Sequence, residues 1–147
     1  PTIDVFNRPS DLVTAQTFSD PPLNTLEVKK TREGFRGIDG TIVTAPAAAR
    51  SLPDGRYVLG FRPHHLYLAP PSPQAVALRA RVAITEITGS ESYVHLDHGG
   101  ARWVALAHGV RALPADEEVT VYVMPERLFV FDADGALAAA PQLRRAA

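Results

Sequence analysis

An all-β chain built of small barrels is what this sequence predicts, and three observations carry the prediction. Thirteen prolines and ten glycines punctuate short apolar runs along 147 residues, the rhythm of many short strands. Within several runs apolar and polar residues alternate, as at Val119, Val121 and Val123, which is the period of a half-buried strand. Turn-forming pairs such as Asp54-Gly55, Gly99-Gly100 and Asp134-Gly135 recur at hairpin spacing.

Composition narrows the class. The chain is long enough for one domain, or for two small lobes sharing one core. With 46% hydrophobic and 21% charged residues, it is neither disordered nor membrane-embedded in composition, and no uncharged apolar run approaches a bilayer span. The net charge is −1, from 15 basic and 16 acidic residues dispersed along the chain. Such a balance lacks the footprint of a phosphate-backbone binder, so no nucleic-acid partner is expected. Cysteine is absent, which excludes disulfides, zinc–thiolate centres and thiol catalysis. The chain opens at Pro1 rather than methionine, so a segment of a longer protein is expected.

Taken in order, Asn7 to Asp11 offers capping residues and an early proline, and a short helix is expected over Leu12–Gln16. Asp20-Pro21-Pro22 ends it, and residues 1–24 are read as a connector. Leu26 and Val28 alternate with polar neighbours, Arg32-Glu33-Gly34 turns the chain, and Gly40 to Thr44 reads as a strand before an alanine-rich connection. From Tyr57 a strand puts Tyr57, Leu59 and Phe61 on one face and stops at Pro63, which supplies no ladder N–H. Leu66-Tyr67-Leu68 follows, and residues 69–74, with three prolines, are read as a crossing between lobes. In the second lobe, about 76–137, Val82 and Ile84 are expected on one face, Gly89 to Ser92 as a turn, and Val94 and Leu96 inward. Gly99-Gly100 makes a hairpin, and Leu128 to Phe131 forms a late strand. Residues 25–137 thus form the β-domain and 138–147 a tail; strands of this length and spacing suggest small barrels of the OB type.

No catalytic motif stands out. The sequence has no Gly-x-Ser-x-Gly elbow, and Gly89-Ser90-Glu91-Ser92 joins two strands without the second glycine. Both lysines, Lys29 and Lys30, precede the first glycine, so no phosphate-loop Gly-Lys pair exists and no enzyme activity is expected of this chain. His64, His65, His95, His98 and His108 match no zinc spacing, and neighbours on a strand point to opposite faces, so no metal site is expected. Arg62, beside Gly60 and Pro63, has two readings. It is either a ligand for a carboxylate or phosphate, or a structural partner of Glu86, Glu91 or Glu126. Gly60 would serve close backbone approach, and Trp103 is expected in the core.

A series of short motifs then carries a resemblance. Pro1-Thr2-Ile3-Asp4-Val5-Phe6 through Pro9, Asp20-Pro21-Pro22-Leu23-Asn24, Gly60-Phe61-Arg62-Pro63-His64-His65-Leu66, Glu86 with Gly89-Ser90-Glu91 and Tyr93, and Leu128 to Asp132 with Gly135 fall in order along the chain. They resemble the C-terminal regulatory region, called TOBE, of the maltose-type carbohydrate-importer ABC ATPases. The resemblance implies OB-like barrels that hold two ATPase subunits together and receive regulatory signals. ATP and magnesium would be bound by a preceding domain, and no cofactor is expected in this chain. It also implies a second copy of the subunit, permease subunits, and a regulatory protein or small effector as partners, at the cytoplasmic face of the membrane. On this basis Gly60, Arg62, Pro63 and His64 are regulatory or ligand candidates, and Gly89, Ser90, Glu91 and Tyr93 interface candidates. His64 stands where the family usually has glutamate, replacing a fixed negative charge by a titrating imidazole. The serine-arginine-asparagine signature of molybdate-binding relatives is not found. A free-standing small-anion module using Arg62 and a histidine is the alternative reading, and a single-stranded nucleic-acid binder a third.

Overall fold

The computed structural model describes residues 23–108 and 113–141, and the helix expected over Leu12–Gln16 lies outside them. Ten strands run β1 Asn24–Thr31, β2 Gly34–Gly37, β3 Ile42–Val43, β4 Gly55–Phe61, β5 Val76–Thr88, β6 Glu91–His98, β7 Ala101–His108, β8 Glu118–Val123, β9 Phe129–Asp132 and β10 Leu137–Ala139. Three single 3-10 turns interrupt them: η1 Ala47–Ala49, η2 Pro63–His65 and η3 Pro125–Arg127. The strands form two antiparallel sheets, one ordered β10-β9-β4-β1-β2-β3 and the other β7-β6-β5-β8. The all-β, OB-like class read from the sequence is the observed one.

Sequence alternation accounts for most of this. On β1, Leu26 and Val28 face the core while Glu27 and Lys29 face solvent, and β4 answers with Tyr57, Leu59 and Phe61. Leu78, Val82, Val94, Leu96, Trp103, Val121 and Val123 of the second sheet join the same buried cluster, so the two sheets share one core. A second, smaller cluster of Leu23, Phe129 and Phe131 packs separately. β9 comes from the stretch read as the second repeat, yet it pairs into the first sheet through Tyr57↔Asp132 to Gly60↔Phe129, and β10, which runs on into the stretch read as a tail, pairs with β9. Val130 is buried in the shared core and Phe131 in the smaller cluster, a two-sided burial that only an interior strand of the first sheet provides.

Four local expectations are corrected. Val82 and Ile84 do not share a face: the register slips between them, Ala83 is the extra residue, and Ile84 turns outward to 55% exposure. The Gly89-to-Ser92 turn is shorter, since Glu91 and Ser92 already belong to β6 and Ser92 is fully buried. Leu66-Tyr67-Leu68 is no strand but a single bridge from Tyr67 to Tyr122. The chain beyond Pro63 is a 3-10 turn and not extended, so His64 and His65 do not alternate; their rings lie side by side, 4.0 Å between centroids.

The sheets are joined by two side chains. The buried Asn24 at the start of β1 receives the Val104 N–H at 2.7 Å and donates its Nδ2 to the Val104 carbonyl at 2.9 Å. Beside it, the fully buried Trp103 donates its indole N–H to the Thr25 carbonyl at 2.7 Å, meets Phe61 edge-on at 5.3 Å and stacks on His98 at 4.4 Å. His98 in turn holds the Arg79 carbonyl at 2.6 Å through Nδ1, with Nε2 3.9 Å from Asp39 on the β2–β3 turn. Burial by itself raises the Asp39 pKa, but the Thr41 amide and hydroxyl, helped by His98, outweigh it and hold the carboxyl below its ordinary value. Replacing Asn24→Ala would leave the Val104 N–H and carbonyl without their partner in a buried seam. A loss of about 2–4 kcal/mol is expected, read as a lower urea midpoint at unchanged slope.

Candidate functional site

The regulatory candidates gather where β4 and β9 end together. Their ladder closes at Gly60↔Phe129, and beyond it Arg62 and Arg127 both lie close enough to His64 and His65 to act on them electrostatically. η2 leaves β4 immediately after Arg62 and η3 enters β9 through Leu128, so two proline-led turns stand side by side. Each is closed in the same way. His65 N–H donates to the Arg62 carbonyl at 2.9 Å and Arg127 N–H to the Met124 carbonyl at 2.9 Å, and Leu66 and Leu128 are each 1% exposed. Pro63-His64-His65-Leu66 and Pro125-Glu126-Arg127-Leu128 are therefore one turn used twice.

Arg62 is buried, and its guanidinium lies over the Phe129 ring at 5.1 Å. Desolvation lowers its pKa, although arginine stays charged in the working range. Of its sequence-proposed partners, Glu86 instead meets His95, 2.8 Å from Oε1 to Nε2. Pro63 is buried, His64 exposed and His65 half-buried. Burial, then the charges of Arg62 and Arg127, lowers the His64 pKa. Burial, then His64, Arg127 and Arg62, lowers that of His65 to about 4. Gly60 has an ordinary backbone angle; it is needed for close approach. A Cβ there would stand 3.0 Å from Phe131 Cε2 and 3.3 Å from Leu23 Cδ1. The larger Gly60→Val change is expected to cost about 1–3 kcal/mol, measured by thermal and urea unfolding.

The interface candidates lie on the other sheet. Gly89 and Ser90 form the exposed β5–β6 turn, while Glu91 and Tyr93 stand opposite His108 and Leu106 of β7. η2 packs against β7, so a single strand separates the two candidate groups. Residues that sequence reasoning missed are Asn24, Arg127 and Phe129. Arg127 could have been found from the repeated Pro-x-x-Leu, each copy ending a strand. Among the described residues no three histidine or acidic side chains are placed to hold a metal, and His98, turned inward onto Trp103, stands apart from His95 on the outer face. Beside η3, a groove of about 510 Å³ is lined by Pro46, Pro73, Met124 and Pro125, together with Arg50 and Glu126.

A TOBE domain model matches residues 59–131, the span that contains both proline turns. The chain belongs to the TOBE-domain family. Its curated relatives are import ATP-binding proteins. The sn-glycerol-3-phosphate import ATP-binding protein UgpC 3 of Rhizobium johnstonii is 30% identical over 68% of this chain and 26% of its own length. The trehalose/maltose import ATP-binding protein MalK of Thermococcus litoralis is 29% identical over 88% of this chain and 37% of its own length. The xylose/arabinose import ATP-binding protein XacJ of Haloferax volcanii is 23% identical over 89% and 37%. This TOBE chain thus spans about a quarter to two fifths of the relatives it matches. In fold it is similar to the cytoplasmic molybdate-binding protein ModG, with a TM-score of 0.58 and 16% identity over 73% of this chain and 94% of that one. Among the described residues, no helix is long and apolar enough to cross a membrane.

The half-buried His65 makes the TOBE fold sensitive to acid. An unfolded histidine near pKa 6.5 binds a proton that the folded one, near 4, refuses, so its contribution is complete above pH 6.5 and is lost as pH falls toward 4. After discounting for solvent screening the effect is on the order of 1 kcal/mol. Urea titrations from pH 7.5 to 4.5 should show a shallower loss for His65→Gln than for the unsubstituted chain; identical slopes would remove His65 as the cause.

Proposed function

We propose that this chain is the C-terminal regulatory and dimerisation domain of the ATP-binding subunit of an ABC importer for sugars or sugar phosphates. The observation that carries the reading is the TOBE match over 59–131, together with relatives named as import ATP-binding proteins. Catalysis would lie elsewhere. ATP and magnesium would be held by a nucleotide-binding domain of the parent protein, and this domain would add a second, nucleotide-independent contact between two copies of the subunit. The nucleotide-binding domains could then part and reclose without dissociating. The assembly would sit at the cytoplasmic face of the membrane on its permease subunits. An effector that favours one arrangement of the two domains would bias the cycle by its differential affinity. Under this reading Gly60, Arg62, Pro63 and His64 form the regulatory end, and Gly89, Ser90, Glu91 and Tyr93 contribute to the contact with the second copy.

A second reading, a free-standing anion-binding module, draws support from the fold likeness to molybdate-binding ModG and from the cationic side chains at the β4–β9 end. Sedimentation of the parent protein decides on the importer reading. Self-association in the absence of ATP should weaken when this domain is deleted, and about tenfold when Tyr93→Arg places a charge at the proposed contact. Equal association with and without the domain would overturn the dimerisation role.

A further inference from the structure

Charges that are far apart in the sequence are brought level by the first sheet. Lys29 of β1 stands opposite Arg36 of β2 on one side and opposite Arg56 of β4 on the other. Residues directly opposite in an antiparallel pair share a face, so the three cations form one row across three strands, on the face away from the core. With neighbouring strands about 5 Å apart, the row is about 10 Å long. All three side chains are exposed. None of them makes an ion pair among the described residues, whereas Lys30, Arg79 and Arg102 each meet an acid. The neighbouring acids lie off the row. Glu27 is two residues back along β1, level with Val58, and Asp54 is paired with Lys30 at 3.8 Å. Asp132 of β9, level with Tyr57, accepts the Asp134 and Ala136 amides of its own turn. The β1–β2 turn adds Arg32 and Glu33, one charge of each sign. Like charges set directly opposite on a sheet repel each other, and an anion received along the row relieves that repulsion.

We propose that this face of the TOBE domain is a binding site for a compact anion carrying several charges, of the oligophosphate class, laid across β2, β1 and β4. Arg36 and Arg56 supply planar two-pronged donors at the two ends, and Lys29 supplies a point charge between them. A single phosphate meets only part of such a row, while a chain of phosphates repeats its charge along its length and meets all three cations. The face is open to solvent, so binding weakens as salt is raised. The site lies at the opposite end of β4 from Arg62 and His64, and it does not depend on the importer reading.

The test is a titration of the 147-residue chain, at constant ionic strength maintained with chloride, with tripolyphosphate, orthophosphate and a short single-stranded oligodeoxynucleotide in separate arms. The backbone amide resonances of Lys29, Arg36 and Arg56 report binding. A saturable shift with tripolyphosphate is expected, with a dissociation constant on the order of 0.1–1 mM, and orthophosphate should bind about tenfold more weakly. Lys29→Gln, Arg36→Gln and Arg56→Gln should each weaken tripolyphosphate binding about tenfold, and Arg102→Gln, on the other sheet, should leave it unchanged. Lys29→Gln also carries a second readout. Without the anion it discharges the middle of the row and should raise the urea midpoint; with saturating tripolyphosphate it should lower the midpoint relative to the unsubstituted chain. Shifts that do not saturate, that chloride reproduces, or that the three row variants leave unaltered overturn the site. Tighter binding of the oligonucleotide than of tripolyphosphate overturns the small-anion class in favour of a nucleic-acid backbone. Should one row variant fail to fold, the other two carry the same decision.

Discussion

Two buried side chains decide that this chain is one body. Asn24 imitates a strand: its amide accepts and donates where a peptide of a neighbouring strand would, and it takes up the N–H and carbonyl of Val104. Trp103 does the complementary work from the other sheet, sending an indole N–H to the Thr25 carbonyl while its ring fills the space against Phe61 and His98. Without these contacts, the start of β1 and the middle of β7 would bury backbone groups with nothing to bond. With them, one core runs under both sheets, and the crossing at residues 69–74 needs only to span it.

The same seam fixes what stands at the end of β4. Phe61 is held by Trp103, so the next residues have no latitude: Arg62 goes down onto Phe129, and Pro63 begins the turn that carries both histidines. The turn at Pro125 repeats that geometry with Met124 in place of Arg62 and Glu126 in place of His64. One copy thus carries a carboxylate where the other carries an imidazole. The chemistry of the site is the difference between two otherwise equivalent turns.

Much of this was legible in the sequence because alternation is a strong signal where one face is buried. Leu26, Val28, Tyr57, Leu59, Phe61, Val94 and Leu96 all fall where the period of two places them. Alternation fails where an extra residue enters, and Ala83 shows how: nothing in its own identity announces a bulge, yet everything beyond it reverses face. Pairing is harder still, since Leu128 to Phe131 reads the same whether it closes its own barrel or returns to the first. The arginine at the strand end was legible through its unusual neighbours Gly60 and Pro63. Arg127 was not, because a surface arginine in a turn is ordinary until the fold brings it near His64 and His65. Asn24 was hidden for a similar reason, being read as the end of a proline-rich connector.

The return of β9 to β4 makes the second sheet an insertion within the first. As the chain leaves the ribosome, β4 waits through the whole of β5 to β8 with one edge open, and its partner arrives only with residues 129–132. Hydrogen bonds made across so long a loop are slow to form, and until they do, an unpaired apolar edge is available to other chains. Tyr67, which bonds to Tyr122 through both backbone groups, ties the crossing to β8 just before η3 and β9. That bridge shortens the last search: it delivers the closing strand to within a few residues of the edge it must cover.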